Sequence, residues 1–124
     1  NDQHDSPTPA RPIAQSSARA LHRLLTAPAA HSRSGLYHLA PRGITNWHEL
    51  AQAIFHMASQ QGSAFKIDPT QVHRIATQDY PTAAQRPLNS RLATNKLEQA
   101  FGLRLPDWRQ QLQQTLTEYL QKEK

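Results

Sequence analysis

An α/β arrangement of about four helices with a few short strands (α+β when the piece stands alone) is predicted by three observations. Four stretches carry apolar residues at helical spacing, with caps or breakers at their ends. Two short runs with aromatic or β-branched content, bounded by turn residues, read as strands. Irregular, proline-punctuated connections separate these elements, and the chain has nine prolines against four glycines. At 124 residues and 37% hydrophobic, the sequence sizes this to one modest domain with a small core.

Residues 1–12 carry three prolines and read as extended chain. Thr8 stands before a proline and an alanine-rich stretch, so its hydroxyl is expected to cap the first helix. Ile13, Ser17, Leu21, Leu24 and Leu25 form that helix's inward face, and Thr26-Ala27-Pro28 stops it. After a polar loop, Gly35-Leu36-Tyr37-His38-Leu39-Ala40 reads as a strand. The second helix is the clearest element. Asn46 is its N-cap, with Glu49 three residues on in a capping-box-like pair. Trp47, Leu50, Ala51, Ile54, Phe55 and Ala58 form its stripe, and it ends near Gly62. Residues 72–77 read as a second short strand, interrupted by His73 and Arg74. Residues 79–92 form a proline-punctuated irregular loop. Thr94 or Asn95 caps a short third helix carrying Leu97, Ala100 and Phe101, closed by Gly102. Pro106 is placed in the first turn of the last helix, whose stripe is Trp108, Leu112, Leu116, Tyr119 and Leu120. Trp47, Phe101 and Trp108 are read as core residues.

Composition excludes several functions. The sequence has no cysteine, so disulfide scaffolds and thiolate chemistry are out. No apolar run approaches the ~18 residues of a membrane span. The opening Asn1-Asp2-Gln3-His4-Asp5 is neither a signal peptide nor Met-initiated, so the chain reads as part of something longer, in the cytoplasm. A net charge of +5 raises the prior for phosphate-bearing partners. The Lys and Arg residues are spread almost evenly, however, with no basic block and no aromatic–basic interleaving. A solvated basic surface is therefore expected, with neither nucleic acid nor membrane as partner.

The seven histidines include no i, i+4 pair, and neither HExxH nor GxSxG occurs. The four glycines are far apart, so no glycine-rich loop exists to approach a pyrophosphate. No catalytic, cofactor-binding or metal-binding residue is therefore nominated. One constellation stands out: Tyr80-Pro81-Thr82, Arg86-Pro87 and Asn89-Ser90-Arg91-Leu92. An arginine offers a planar fork for phosphate, and Asn and Ser supply partners for hydroxyls or a base edge. Two readings of this loop stand: one packed by its own prolines and polar contacts, and one that recognises a ligand.

The ordered series Asn1-Asp2-Gln3…Pro7-Thr8, Gly35-Leu36-Tyr37-His38, the Trp47 helix, Tyr80-Pro81-Thr82, Arg86-Pro87-Leu88-Asn89-Ser90-Arg91-Leu92, Lys96-Leu97, Phe101-Gly102 and Leu105-Pro106-Asp107-Trp108 covers essentially the whole chain. It closely resembles the C-terminal part of the dTDP-4-dehydrorhamnose reductase family, extended short-chain dehydrogenases/reductases. The resemblance implies that residues 1–124 are the C-terminal substrate-binding segment of a Rossmann-type reductase. The glycine-rich turn and the catalytic Tyr-x-x-x-Lys belong to the family's cofactor-binding half, which is absent here. The family reduces dTDP-6-deoxy-L-lyxo-4-hexulose to dTDP-L-rhamnose with NADPH or NADH, and this segment alone is expected to be inactive. Arg86, Asn89 and Ser90 match the family's RPxNSxL loop, and Asp2, Gln3 and Thr8 its DQxGxPT region; these six are the implied substrate contacts. Arg91 falls at a variable position of the motif. Asp5 departs from the family's usual glycine.

Some members hold Mg²⁺ through glutamates at a dimer interface. Glu118 matches one of these, but Arg11 stands where a second acid is expected, so this site is not expected here. The implied partners are a dTDP-sugar and the Rossmann half. The resemblance makes Gly35–Ala40 the last strand of the Rossmann sheet, so its exposed edges also invite a homodimer. The alternative is a non-catalytic homologue acting as a nucleotide-sugar-binding or regulatory subunit.

Overall fold

The computed structural model describes residues 2–26, 33–80, 82–84 and 86–122. Ala27–Pro28, Pro81 and Gln85, which belong to the helix stop and the ligand-loop motif above, lie outside the described residues. Among the described residues there are four α-helices: α1 (Ala10–Thr26), α2 (Trp47–Gln60), α3 (Asn95–Phe101) and α4 (Trp108–Lys122). Two single 3₁₀ turns, Pro69–Gln71 and Thr77–Asp79, complete the regular structure.

The short strands do not form among the described residues. Strand-like pairing is confined to three isolated bridges: His4 with Asn89, Asp5 with Thr45, and Arg42 with Asp107. A strand needs a neighbouring backbone to satisfy its ladder, and residues 35–40 have instead a helix beside them. Tyr37 meets Phe101 of α3 edge-on, with ring centroids 5.1 Å apart. Lys96 Nζ lies 4.7 Å from the Tyr37 ring centroid and donates to the Leu36 carbonyl at 2.8 Å. Residues 72–76 likewise run without strand pairing between the two 3₁₀ turns, and Thr77 opens the second of them.

Helix ends follow side-chain chemistry. Asn46 Oδ1 accepts from Glu49 N–H at 3.0 Å and caps α2, as expected. The Glu49 carboxylate accepts instead from the Thr45 hydroxyl at 3.3 Å. Gly102 closes α3 in the left-handed region at φ +53°, its N–H on the Glu98 carbonyl at 2.7 Å. Two expected helix starts are displaced. The Thr8 hydroxyl donates to the Ser6 carbonyl at 3.1 Å, and α1 begins only at Ala10. Pro106 lies outside α4, whose cap is Asp107: its Oδ1 accepts from Arg109 N–H at 2.9 Å. Pro106 instead contributes its carbonyl, which accepts from Arg42 N–H at 3.1 Å, while Arg42 O accepts from Trp108 N–H at 3.0 Å. That exchange sets the start of α4 beside the segment leading into α2, and α2 packs against α4.

The core centres on Leu97, Phe101 and Leu103, with Ala20, Leu24, Tyr37, Leu39 and Ala100 packed around them. Trp108 is 1% exposed. The core thus includes Phe101 and Trp108 as expected, but not Trp47, which is 66% exposed. α1 is rotated from its expected orientation. Ser16, Ala20 and Leu24 face the core, whereas Ile13, Leu21 and Leu25 are exposed. Ala20 and Leu24 pack against the Leu97, Phe101 and Leu103 cluster, and the rest of the apolar stripe is left outside.

Candidate functional site

Residues 2–5 run through the middle of the site and are held from three directions. Asp2 Oδ1 accepts from the Thr77 hydroxyl at 2.6 Å and from Thr77 N–H at 3.0 Å. Those two donors, the hydroxyl foremost, hold the Asp2 carboxyl below the ordinary value of 3.8. His4 N–H donates to the Leu88 carbonyl at 2.8 Å, and Ser90 N–H donates to the His4 carbonyl at 2.9 Å. Asp5 and Thr45 exchange both backbone hydrogen bonds, at 3.0 and 2.9 Å. Asp5 needs no left-handed backbone for this: every described residue with positive φ is a glycine. The side chain of Asp5 caps its own turn, Oδ1 accepting from Ser6 N–H at 2.7 Å.

α2 holds the opposite wall. His48 Nε2 donates to the Val72 carbonyl at 3.0 Å, and Gln52 Nε2 donates to the Pro69 carbonyl at 3.1 Å. These bonds tie residues 69–72 to the helix, so the chain passes α2's first residue, Trp47, as it reaches Ile75–Thr77.

Two open clefts result. The first, of about 440 Å³, is lined by Asp2, Gln3, Trp47, Ile75, Thr77, Tyr80 and Arg86 among others. The second, of about 260 Å³, includes Gln3, His4, Asn46, Trp47, Arg86 and Ser90 in its lining. Gln3, Trp47 and Arg86 belong to both, so the clefts adjoin along these three side chains. Of the six sequence-derived candidates, the structure brings Asp2, Gln3, Arg86 and Ser90 together. Thr8 and Asn89 line neither cleft. The Asn89 side chain serves its own loop, Oδ1 accepting from Arg91 N–H at 3.2 Å and from Arg91 Nε at 2.8 Å.

Sequence periodicity missed Trp47 as a lining residue because it sits in phase with a genuine core stripe. Its place immediately after the N-cap carried the signal. A Cα–Cβ bond tilts toward the helix N-terminus, so a first-turn side chain projects past the helix end and off the packed face.

These features define a helical domain with two adjoining open clefts that share Gln3, Trp47 and Arg86. The family model described as RmlD substrate binding domain matches residues 1–121, and the chain belongs to that family. It is 39% identical over 118 residues to the dTDP-4-dehydrorhamnose reductase of Salmonella typhimurium strain LT2, covering 95% of this chain and 38% of that protein. The protein of the same name from Burkholderia thailandensis is 39% identical over 109 residues, 87% of this chain and 37% of its own. The spore coat polysaccharide biosynthesis protein SpsK of Bacillus subtilis strain 168 is 30% identical over 118 residues, 95% of this chain and 35% of its own. The chain thus spans just under two-fifths of the length of these relatives.

The groups that the family resemblance implies do not fit this chain's residues. A nicotinamide cofactor needs glycines opening a helix. Here Gly62 and Gly102 follow helices, and a Cβ on Gly43 would lie 2.8 Å from Trp108 Cδ1, so no cradle for a pyrophosphate is formed by them. At the implied metal position, the Arg11 guanidinium is hydrogen-bonded to the Glu118 carboxylate, setting a cation where an Mg²⁺ ligand set needs a second anion.

Proposed function

We propose that this chain is the substrate-binding part of a dTDP-4-dehydrorhamnose reductase, acting in the cytoplasm in dTDP-rhamnose biosynthesis. It holds dTDP-6-deoxy-L-lyxo-4-hexulose while NADPH or NADH, carried by a Rossmann-type α/β part of the protein, reduces the 4-keto group. The observation that carries this reading is the position of Arg86 at the junction of the two clefts. A diphosphate links the two halves of a nucleotide sugar, and a guanidinium at the junction meets it with paired charge-assisted hydrogen bonds. Gln3 and Ser90 then supply polar partners for sugar hydroxyls. The relatives' shared name and the match over residues 1–121 support the same assignment.

The exposed stripe Ile13, Leu21 and Leu25 supports docking of the cofactor-binding part on the α1 side.

The test is an assay of the full-length protein carrying this chain, following NADPH consumption with the 4-keto sugar. Turnover is expected from the full-length protein, and ligand binding without turnover from the 124-residue chain. Arg86→Ala should raise KM for the sugar nucleotide about tenfold or more, with a smaller fall in kcat. Absence of turnover by the folded full-length protein would overturn the assignment, and an unchanged KM would remove Arg86 from substrate binding.

A further inference from the structure

The geometry points to Trp47 as the platform on which the nucleobase of the ligand stacks, with the base in the larger cleft and the sugar in the smaller. This rests on the nucleotide-sugar reading above and adds to it a residue that decides which class of diphosphate is held.

Trp47 is 66% exposed although it begins a helix whose remaining stripe is partly or fully buried. An indole left open on a fold with so small a core costs apolar surface unless something planar covers it. Both clefts present mainly apolar surface, and they differ in degree. In the larger one Ile75, Ala76 and Tyr80 stand with Trp47, giving the more apolar and aromatic surface, suited to a flat ring, with Asp2, Thr77 and Thr82 also in the lining. In the smaller one Trp47 shares the lining with Pro7, Leu50 and Pro87 and with Asn46, His4 and Ser90, the last three of which suit hydroxyl groups. Arg86 lies between, where a diphosphate would pass. A volume of about 440 Å³ accommodates a nucleoside. An anionic ligand with one flat apolar end and one hydroxylated end therefore has a single favoured direction along the site.

The test measures affinities of the full chain for dTDP and for inorganic pyrophosphate by calorimetry. Wild type should bind dTDP well above pyrophosphate. Trp47→Ala should weaken dTDP roughly 10- to 100-fold, the range stacking contributes per base, and leave pyrophosphate within about twofold. Trp47→Phe, which keeps a ring, should retain dTDP within a few-fold. Arg86→Ala should weaken both ligands. Fluorescence supplies a reading without substitution. The chain's other tryptophan, Trp108, is 1% exposed, so dTDP should shield Trp47 emission from acrylamide while pyrophosphate does not. Equal loss of both ligands in Trp47→Ala overturns the inference, as does an unchanged dTDP affinity with only a lowered melting temperature. So does a wild type that binds the two ligands equally, which leaves the nucleotide-sugar assignment standing on Arg86. A wild type that binds neither overturns both.

Discussion

At Gly43 the backbone has φ +85°, and a Cβ there would lie 2.5 Å from Asp107 Oδ2 and 2.8 Å from Trp108 Cδ1. Both the conformation and the space require glycine. Gly43→Ala should therefore destabilise the fold by about 2 kcal/mol or more, read as a lower midpoint in urea. Asp2 carries the site's clearest pH dependence. Its carboxyl is held below 3.8 by the Thr77 hydroxyl and N–H, so its contribution to stability is complete above the unfolded value. That contribution is lost as the pH falls through the lowered folded value. Thr77→Val, which removes the hydroxyl, should lower the melting temperature at about pH 6, and the difference from wild type should shrink in strong acid. A gap that stays constant with pH would place the effect elsewhere than on the ionised carboxylate.

At the scale of elements, α2 was legible because spacing, cap and terminating glycine agreed with one another, α3 from its spacing and closing Gly102, and α4 from its apolar spacing alone. Asn46→Ala should cost about 1 kcal/mol through loss of the α2 cap, measurable by thermal melting. The Arg11–Glu118 pair joins α1 to α4, but with side chains 53% and 33% exposed it should be worth under about 1 kcal/mol. Glu118→Gln should accordingly leave the melting temperature nearly unchanged. The misread elements have a common cause. Periodicity identifies the apolar side of a helix, whereas contacts decide which side is covered. In α1 those differ: Ala20 and Leu24 pack against the Leu97–Leu103 core, whereas Leu21 and Leu25 are left exposed. Strand propensity at residues 35–40 similarly met no neighbouring strand, and Tyr37 packed on Phe101 instead. Within the site, Arg86 was readable as a guanidinium in a stiff polar loop, Gln3 came from the family resemblance alone, and Trp47 was masked by its register with the core.

Across the whole molecule, a thin core is matched by a large apolar exterior: Ile13, Leu21, Leu25 and Leu36 are all exposed. The 124-residue chain should self-associate in light scattering, and Leu21→Glu with Leu25→Lys should return it toward a monomer. A monodisperse wild-type monomer would count against α1 as a docking face. The pairing of residues 2–5 has one further bearing, on the order in which the protein is made. Asp2 finds Thr77 across 75 residues of sequence, and His4 waits for Leu88 and Ser90. On a ribosome the first residues of this segment emerge long before the loops that fasten them, so the ligand cleft cannot close early. Contacts this distant in sequence carry the largest loop-closure cost and form late. Ligand binding by nascent chains of increasing length should therefore switch on abruptly, only after Ser90 has cleared the exit tunnel.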